Sequence, residues 1–336
     1  MNSQQRTVLK LSATPVEKPW GGNKLQRYLT ESDAFHGNLG EIWLVSTVGD
    51  EESHSKILSG PYAGKSLSQL IRNNPEMVLG SEFGSVASPV SFPLLFKWID
   101  ARSDLSVQVH PGDDLAKSLG LGETGKEETW LILDAEPGAT VMAGYSAGWD
   151  MERLLGAISS GKEISAALER IPVASGDLVH IPPGTVHSIG GGILLAEIQQ
   201  PSDVTFRIHD GDTVGTDGRP RELHLDQASK VSSEEAPTWI QADPTDTDSW
   251  RTRLSVEPYQ IMELQGSWSG NLPAPKDRCS IFCTLDGEAR LHGCEGPEGT
   301  VKSAEVRLIL PGEGEITMET VEEGWFAIFA PSLRPR

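Results

Sequence analysis

Gln108 and His110 stand two residues apart in DLSVQVHPGDDL (104–115), inside an apolar, alternating run. Side chains at i and i+2 of a strand share a face. Ser106, Gln108 and His110 therefore line one side of the run, with Val107 and Val109 on the other. A polar amide and an imidazole on a face that should point inward need partners there. Downstream segments supply them. Glu128 shares a face with Trp130 and Ile132 in ETWLILDA (128–135), and His187 follows the tight PPG turn of GDLVHIPPGTVH (176–187). If these strands close into one barrel, Gln108, His110, Glu128 and His187 converge and can hold a metal. Two imidazole nitrogens, one carboxylate oxygen and one amide oxygen suit a single borderline divalent ion such as zinc, although the same donors accept cobalt, manganese or nickel. A set with one negative charge leaves the ion a strong Lewis acid, with open positions for water or substrate. Taken singly, His180, His209 and His224 read as hydrogen-bonded structural residues.

Such a site needs a β scaffold, and the chain has the signals of one. FPLLFKWIDA (92–101), LSVQVHP (105–111), ETWLILDA (128–135) and ATVMAGY (139–145) are apolar or alternating, as is GEIWLVSTV (40–48). Strands resume in GDLVHIPPGTVHSI (176–189), GILLAEIQQ (192–200) and VTFRIHD (204–210). KSLSQLIRNNP (65–75) predicts a short helix, with a Ser66/Gln69 capping box and a stop at Pro75. Residues 150–171 predict two short helices, the first N-capped by Asp150, with SSG between them. Residues 211–250 are polar and read as a connection. From about 251 a second block of short strands runs to the end: YQIMELQ, CSIFCTL, EVRLILP, EGEITMET and GWFAIFAP.

Bulk properties narrow the partners. The 336 residues suffice for two domains, and 35 glycines and 22 prolines favour turn-rich β architecture. A formal net charge of −20 repels nucleic acid and anionic membranes, so neither is expected as a partner. It also repels a phosphorylated ligand at long range, so a site for one needs its own Lys and Arg. Three cysteines, Cys279, Cys283 and Cys294, do not make a disulfide framework. A zinc site built on Cys279 and Cys283 lacks further ligands. With so few cysteines a reducing cytoplasm is the expected location; the N-terminal residues have no apolar signal region, and no run of apolar residues is long enough to span a bilayer.

GDLVHIPPGTVH matches the second cupin motif, a Gly, five residues, Pro-x-Gly, two residues and His. LSVQVHP, GKEETW (125–130) and VTFRIHD resemble the type I mannose-6-phosphate isomerase family in its short form. KPWGGNKL (18–25), GEIWLVS (40–46) and FPLLFKWIDA strengthen a likeness that covers roughly residues 10–210. The resemblance implies a mainly β protein of two cupin (jelly-roll β-barrel) domains with a few short helices. Residues 1–235 would form the catalytic metal-binding domain, and 251–336 a degenerate second cupin. It also implies a zinc enzyme that interconverts D-mannose 6-phosphate and D-fructose 6-phosphate. Gln108, His110, Glu128 and His187 map onto the metal ligands, and Lys126 and Arg207 onto an active-site lysine and arginine. Glu197 maps onto a carboxylate on the neighbouring strand, and Ser106 onto a serine associated with phosphate contact. Two positions depart from the pattern. Gly191 stands where the cupin motif often ends in Asn, and Gly125 stands where long-form members often carry a His before the lysine.

The implied reaction moves a proton between C2 and C1 through a cis-enediol. Arg207 would stabilise the enediolate or grip phosphate, and Lys126 would assist ring opening or proton shuttling. Glu197 is a candidate base or, equally, a group that orients a ligand imidazole. Plainer readings exist: Arg207 as an exposed strand residue, Lys126 on a solvated loop, and Trp20, Trp43 and Trp130 as core rather than sugar platforms. Two other functions compete. A non-catalytic cupin that senses a sugar phosphate would keep the metal ligands but not Lys126, Glu197 and Arg207 together. A cupin oxygenase would hold more imidazoles.

Overall fold

The computed structural model describes residues 5–29, 35–84, 91–243, 248–296 and 299–332, and it is mainly β. The chain forms two compact units. One comprises Pro15–Ile42 and Phe96–Ala242; the other comprises Met1–Thr14, Trp43–Leu95 and Asp243–Arg336. Each unit is thus drawn from separate stretches of the chain.

The unit with all the candidate site residues is built on two sheets. One has the strand order Phe206–His209, Val107–Val109, His187–Ile189, Thr140–Tyr145, Leu168–Pro172, every neighbour antiparallel. The other runs Thr238–Ile240, Leu178–Ile181, Glu128–Ala135, Ile193–Gln199, Leu95–Ala101, Thr14–Gly22, Leu39–Val45. The core between them follows the period of two. Trp130 with Ile132, Val179 with Ile181, Ile193 with Leu195 and Ile99 with Ala101 are i, i+2 pairs, and Val141 with Ala143 meets them from the other sheet. Burying each large apolar side chain contributes about 1.5–3 kcal/mol. The outer face of the five-stranded sheet presents Val109, Met142, Phe206 and Ile208. Leu154 of the helix Met151–Ser159 and Ala228 and Val231 of the helix Leu225–Val231 cover it.

The other unit repeats the two-sheet plan. Its larger sheet runs Arg251–Ser255, Tyr259–Gly266, Gly324–Pro331, Ser280–Asp286, Val306–Ile309, Arg6–Lys10, Cys294–Glu295, and its smaller sheet has four strands. Phe282 and Phe326 stack inside it with centroids 6.3 Å apart. The helix Leu67–Asn73 has the expected cap: Gln69 N–H donates to Ser66 Oγ, and Ser66 N–H donates to the Gln69 side chain, both at 3.2 Å. Pro75 then opens the next helix, Pro75–Leu79, where its missing N–H costs nothing.

Two expectations are corrected. Of the two helices predicted over 150–171, only Met151–Ser159 forms, capped by Asp150, whose carboxylate accepts from Arg153 N at 2.8 Å. Leu168–Pro172 is instead a strand that adds an edge to the sheet, with Ile171 opposite Val141. Pairing to a formed sheet overrides the helical propensity of ALER. The polar stretch 211–250 is more than a connection. It contains the helix Leu225–Val231 and the strand Thr238–Ile240, which pairs with Leu178–Ile181.

Arg6 ties the N-terminal strand into the second unit. It is 3% exposed, and its guanidinium donates to the carbonyls of Leu310 (3.1 Å), Ala274 (3.2 Å) and Pro275 (2.5 Å). We predict that Arg6→Met, which keeps the apolar stem and strands these acceptors, lowers the unfolding free energy by about 1–3 kcal/mol in a urea titration.

Candidate metal centre and active site

Gln108 is the middle residue of Val107–Val109, the second strand of the five-stranded sheet. His187 lies opposite it on one neighbouring strand and Arg207 on the other. Directly opposed residues put their side chains on the same face, so Arg207, Gln108 and His187 form a row. Ala143 continues the row beyond His187, a small side chain that leaves the imidazole room. From the facing sheet, the strand Glu128–Ala135 brings Glu128, with Trp130 and Ile132 on the same face, as its alternation requires.

These elements bring His110, Glu128 and His187 together, with one donor atom from each within 4.8 Å of the others. All three are at most 1% exposed. Glu128 Oε1 lies 3.2 Å from His187 Nε2, and Oε2 lies 3.6 Å from His110 Nε2. The two rings are 4.9 Å apart between centroids. Backbone carbonyls fix both tautomers. His110 Nδ1 lies 2.7 Å from Val204 O, and His187 Nδ1 lies 2.8 Å from Thr185 O. A carbonyl only accepts, so each Nδ1 carries the proton and each Nε2 turns a lone pair to the cluster. The Gln108 amide is 3.5 Å and 3.3 Å from those two Nε2 atoms. A half-turn of the amide presents its oxygen at the same place. Two lone-pair nitrogens, a carboxylate and an amide in a buried pocket are a donor set that fits a borderline divalent cation. Ser106 is buried beside them, its Oγ donating to Gln108 Oε1 at 3.3 Å.

Cations and carboxylates alternate around this cluster. The Lys126 ammonium is 4% exposed, not on a solvated loop; it donates to Glu128 and lies 2.9 Å from His110 Nε2. Glu197 lies opposite Trp130, whose Nε1 donates to Glu197 Oε2 at 3.2 Å. Its Oε1 is 3.1 Å from Lys97 Nζ and 3.9 Å from Lys126 Nζ. Lys97 reaches on to Glu41 at 3.9 Å, and Glu41 to Lys18 at 3.4 Å. Burial and the adjacent Lys126 hold the His110 imidazole well below its ordinary range, which keeps it neutral. Burial alone would protonate Glu128, but the adjacent Lys126 ammonium outweighs it and holds the carboxyl well below its usual range. Burial and the Glu128 charge push the Glu197 carboxyl upward. Burial disfavours the Lys97 charge, yet Glu197 and Glu41 reverse the effect and raise it above the ordinary lysine range.

Arg207 stands at the end of the row and meets different partners. Its Nη1 donates to Glu222 O at 2.8 Å, and Nε, buried, makes no hydrogen bond among the described residues, its Asp210 neighbour being 4.0 Å away. Asp210 accepts from both Nε and Nη2 of Arg221. His224 Nδ1 accepts from Arg207 N at 3.1 Å, so this imidazole is structural. His180 is also structural, bonded to Thr129 Oγ1 at 2.9 Å on the outward face, and His209 Nδ1 accepts from Gly211 N at 3.3 Å. Trp20, Trp43 and Trp130 are all buried. Glu197 touches neither imidazole; it meets Trp130 and the lysines instead.

The sequence reading missed Lys97, Glu41 and Lys18. A signal for two of them existed. Glu41 is the one charged residue of Leu39–Val45, and Lys97 one of two in Leu95–Ala101, both strands being buried along their whole length.

A two-sheet β-barrel with a buried His–Glu–His cluster inside defines a cupin with a candidate metal centre. Residues 8–128 match the family model "Phosphomannose isomerase type I, catalytic domain". Over 279 residues the chain is 40% identical to the probable mannose-6-phosphate isomerase GmuF of Bacillus subtilis, a match that covers 76% of this chain and 84% of that protein. It is 36% identical over 291 residues to a mannose-6-phosphate isomerase of Streptococcus mutans, covering 84% and 86% of the two chains. The crystal structure of a mannose 6-phosphate isomerase from Bacillus subtilis superposes with a TM-score of 0.76 at 27% identity, over 96% of this chain and 99% of that one. A zinc-bound mannose 6-phosphate isomerase shares the fold, with a TM-score of 0.72 at 16% identity over 97% and 100% of the chains. The chain belongs to the type I phosphomannose isomerase family. Among the described residues, no helix is long and apolar enough to cross a membrane.

Lys97 lies between Glu41 and Glu197 in a buried setting, 6% exposed. We predict that Lys97→Met costs about 3–5 kcal/mol of stability in chemical denaturation of the metal-free chain, because it takes from the buried Glu197 carboxylate the ammonium 3.1 Å away.

Proposed function

We propose that the chain is a metal-dependent aldose–ketose isomerase that interconverts D-mannose 6-phosphate and D-fructose 6-phosphate. The observation that carries this reading is the buried convergence of two lone-pair imidazole nitrogens and a carboxylate, with Lys126 and Glu197 next to them. The names of the similar proteins support it. Gln108, His110, Glu128 and His187 would hold one divalent ion; the donor set favours zinc, and the zinc-bound neighbour agrees. When bound, the ion supplies Lewis acidity toward the oxygens of the reacting carbons.

The chain's own groups do the rest. The reaction moves a proton between C2 and C1 through a cis-enediol. Glu197 is the candidate base: its carboxyl, pushed upward by burial and by Glu128, is a better proton acceptor than an exposed carboxylate. Trp130 and Lys97 hold its two oxygens in place. The Lys126 ammonium is a proton donor aimed into the same space, suited to ring opening or to exchange of a proton between neighbouring oxygens. Arg207 offers a buried, unbonded Nε–H to an anionic oxygen, either the enediolate or the phosphate. Arg221 shares Asp210 with Arg207, so two guanidiniums stand around one carboxylate. With Ser106, they give a phosphorylated ligand a locally favourable field on a chain of net charge −20. The same proposal places the catalytic groups in 1–235 and takes 251–336 as a second, degenerate cupin.

A sugar-phosphate sensor without turnover is the alternative. Purified protein supplied with mannose 6-phosphate is predicted to form fructose 6-phosphate, to stop on chelation and to resume when zinc is returned. Metal-loaded protein that binds the sugar phosphate without converting it would establish the sensor instead. His187→Ala is predicted to lose bound metal by elemental analysis. Arg207→Ala is predicted to keep its metal while turnover falls about 10²-fold or more; normal kinetics in that variant would remove Arg207 from the mechanism.

A further inference from the structure

The lysine beside the donor cluster reaches it from a loop whose backbone is hydrogen-bonded on both sides of it. Three consecutive backbone amides are tied down. Gly125 N donates to Asp113 Oδ1 at 2.7 Å, Lys126 N to Pro111 O at 2.9 Å, and Glu127 N to Gln200 Oε1 at 3.0 Å. The two side chains in this set also bind each other, Gln200 Nε2 donating to the same Asp113 Oδ1 at 2.8 Å. Gln200 N closes the ring on Glu127 O at 3.1 Å. One carboxylate oxygen thus anchors the segment before the lysine directly and the segment after it through an amide.

We propose that Asp113 and Gln200 are positioning residues, a clamp on residues 125–127 that sets the Lys126 ammonium against His110 and Glu128. Their hydrogen bonds described above run to the loop backbone and to each other. Their effect passes through the backbone. The clamp also accounts for Gly125. A Cβ at this position would lie 2.5 Å from Gly112 C and from Pro111 O, so the loop is drawn in too closely for any side chain. A side chain just before the lysine has no room here, and the chain positions its lysine without one. Lysine carries about 2 kcal/mol of rotamer entropy, so a fixed root is a physical requirement for a fixed ammonium. Misplacement by about 1 Å can cost a reaction about 10²-fold.

The inference rests on the reading of Lys126 as an active-site group, and its test has one arm that does not. Hydrogen–deuterium exchange of the metal-loaded protein reads the amides of 125–127 directly. Asp113→Ala and, separately, Gln200→Leu are expected to speed exchange there by about tenfold or more while the Glu128–Ala135 strand keeps its protection. Unchanged exchange at 125–127 in both variants overturns the clamp whatever the activity. In the kinetic arm, Asp113→Ala is expected to lower kcat by about 10–100-fold with metal content retained. Asp113→Asn, which keeps an acceptor oxygen, recovers most of that loss. In a Lys126→Met background, Asp113→Ala should lower the residual rate by less than about twofold further. A full additional loss in that background shows that Asp113 acts through something other than Lys126, and overturns the proposal. If the wild-type protein has no isomerase activity, the functional reading fails, and the exchange arm still decides the clamp.

Discussion

The structure depends on taking charges out of water in one small volume and giving each an opposite neighbour. Glu41, Lys97, Glu197, Lys126 and Glu128 are all buried, in a sequence of alternating sign whose separations do not exceed 3.9 Å. Lys18 continues the alternation beyond Glu41, with its side chain 29% exposed. An isolated buried ion costs several kcal/mol, and an ion pair recovers that only with good geometry. The apolar layer below, Trp130, Ile132, Ile99 and Leu195 among others, is what excludes the water and makes the charges interact strongly. Reactivity and stability are therefore coupled at this end of the barrel. A group cannot be removed for its chemistry without disturbing the balance that keeps its neighbours ionised.

The barrel converts the period of a strand into a site. A row of directly opposed residues carries Arg207, Gln108 and His187 across one sheet, and the facing sheet sends Glu128 and Glu197 from paired strands. Backbone carbonyls at Val204 and Thr185 choose the imidazole tautomers. No side chain is spent on that task, which leaves Glu197 to Trp130 and the lysines. The site is thus held by elements rather than by long flexible side chains. The exception is Lys126, whose loop is fixed by hydrogen bonds to three successive amides.

The second unit shows how far connectivity can depart from order along the chain. Its larger sheet takes in Arg6–Lys10 between Val306–Ile309 and Cys294–Glu295, antiparallel to the first and parallel to the second. Arg6 and the Lys10–Glu305 ion pair, 2.9 Å, join residues about 300 positions apart in the sequence. The apolar alternation of TVLKL marks a strand, but nothing within it says which sheet will receive it. Strand addition to a remote edge is a long-range contact with a loop-closure cost, and local pattern carries no information about it.

Local pattern determined a good deal. Short apolar runs bounded by turn residues placed ETWLILDA and GWFAIFAP to the residue, because a buried strand is an apolar stretch that ends where the chain must turn. The capping box at Ser66 and the Asp150 cap were legible because their hydrogen bonds span three residues. Donor chemistry and i, i+2 spacing marked Gln108, His110, Glu128 and His187 before any partner was known. Tertiary structure alone decided the rest. It turned ALERIP into a strand edge, made a helix and a strand of the polar stretch after 211, and buried Lys97 between the carboxylates of Glu41 and Glu197 as their shared counter-charge. It also set the distances that separate a metal-binding cluster from three polar residues on inward faces. The reason is the range of the forces concerned. Hydrogen bonds of caps and turns and the period of a strand act within a few residues, whereas desolvation and the pairing of charges depend on what lies within a few ångströms in space, which only the folded chain defines.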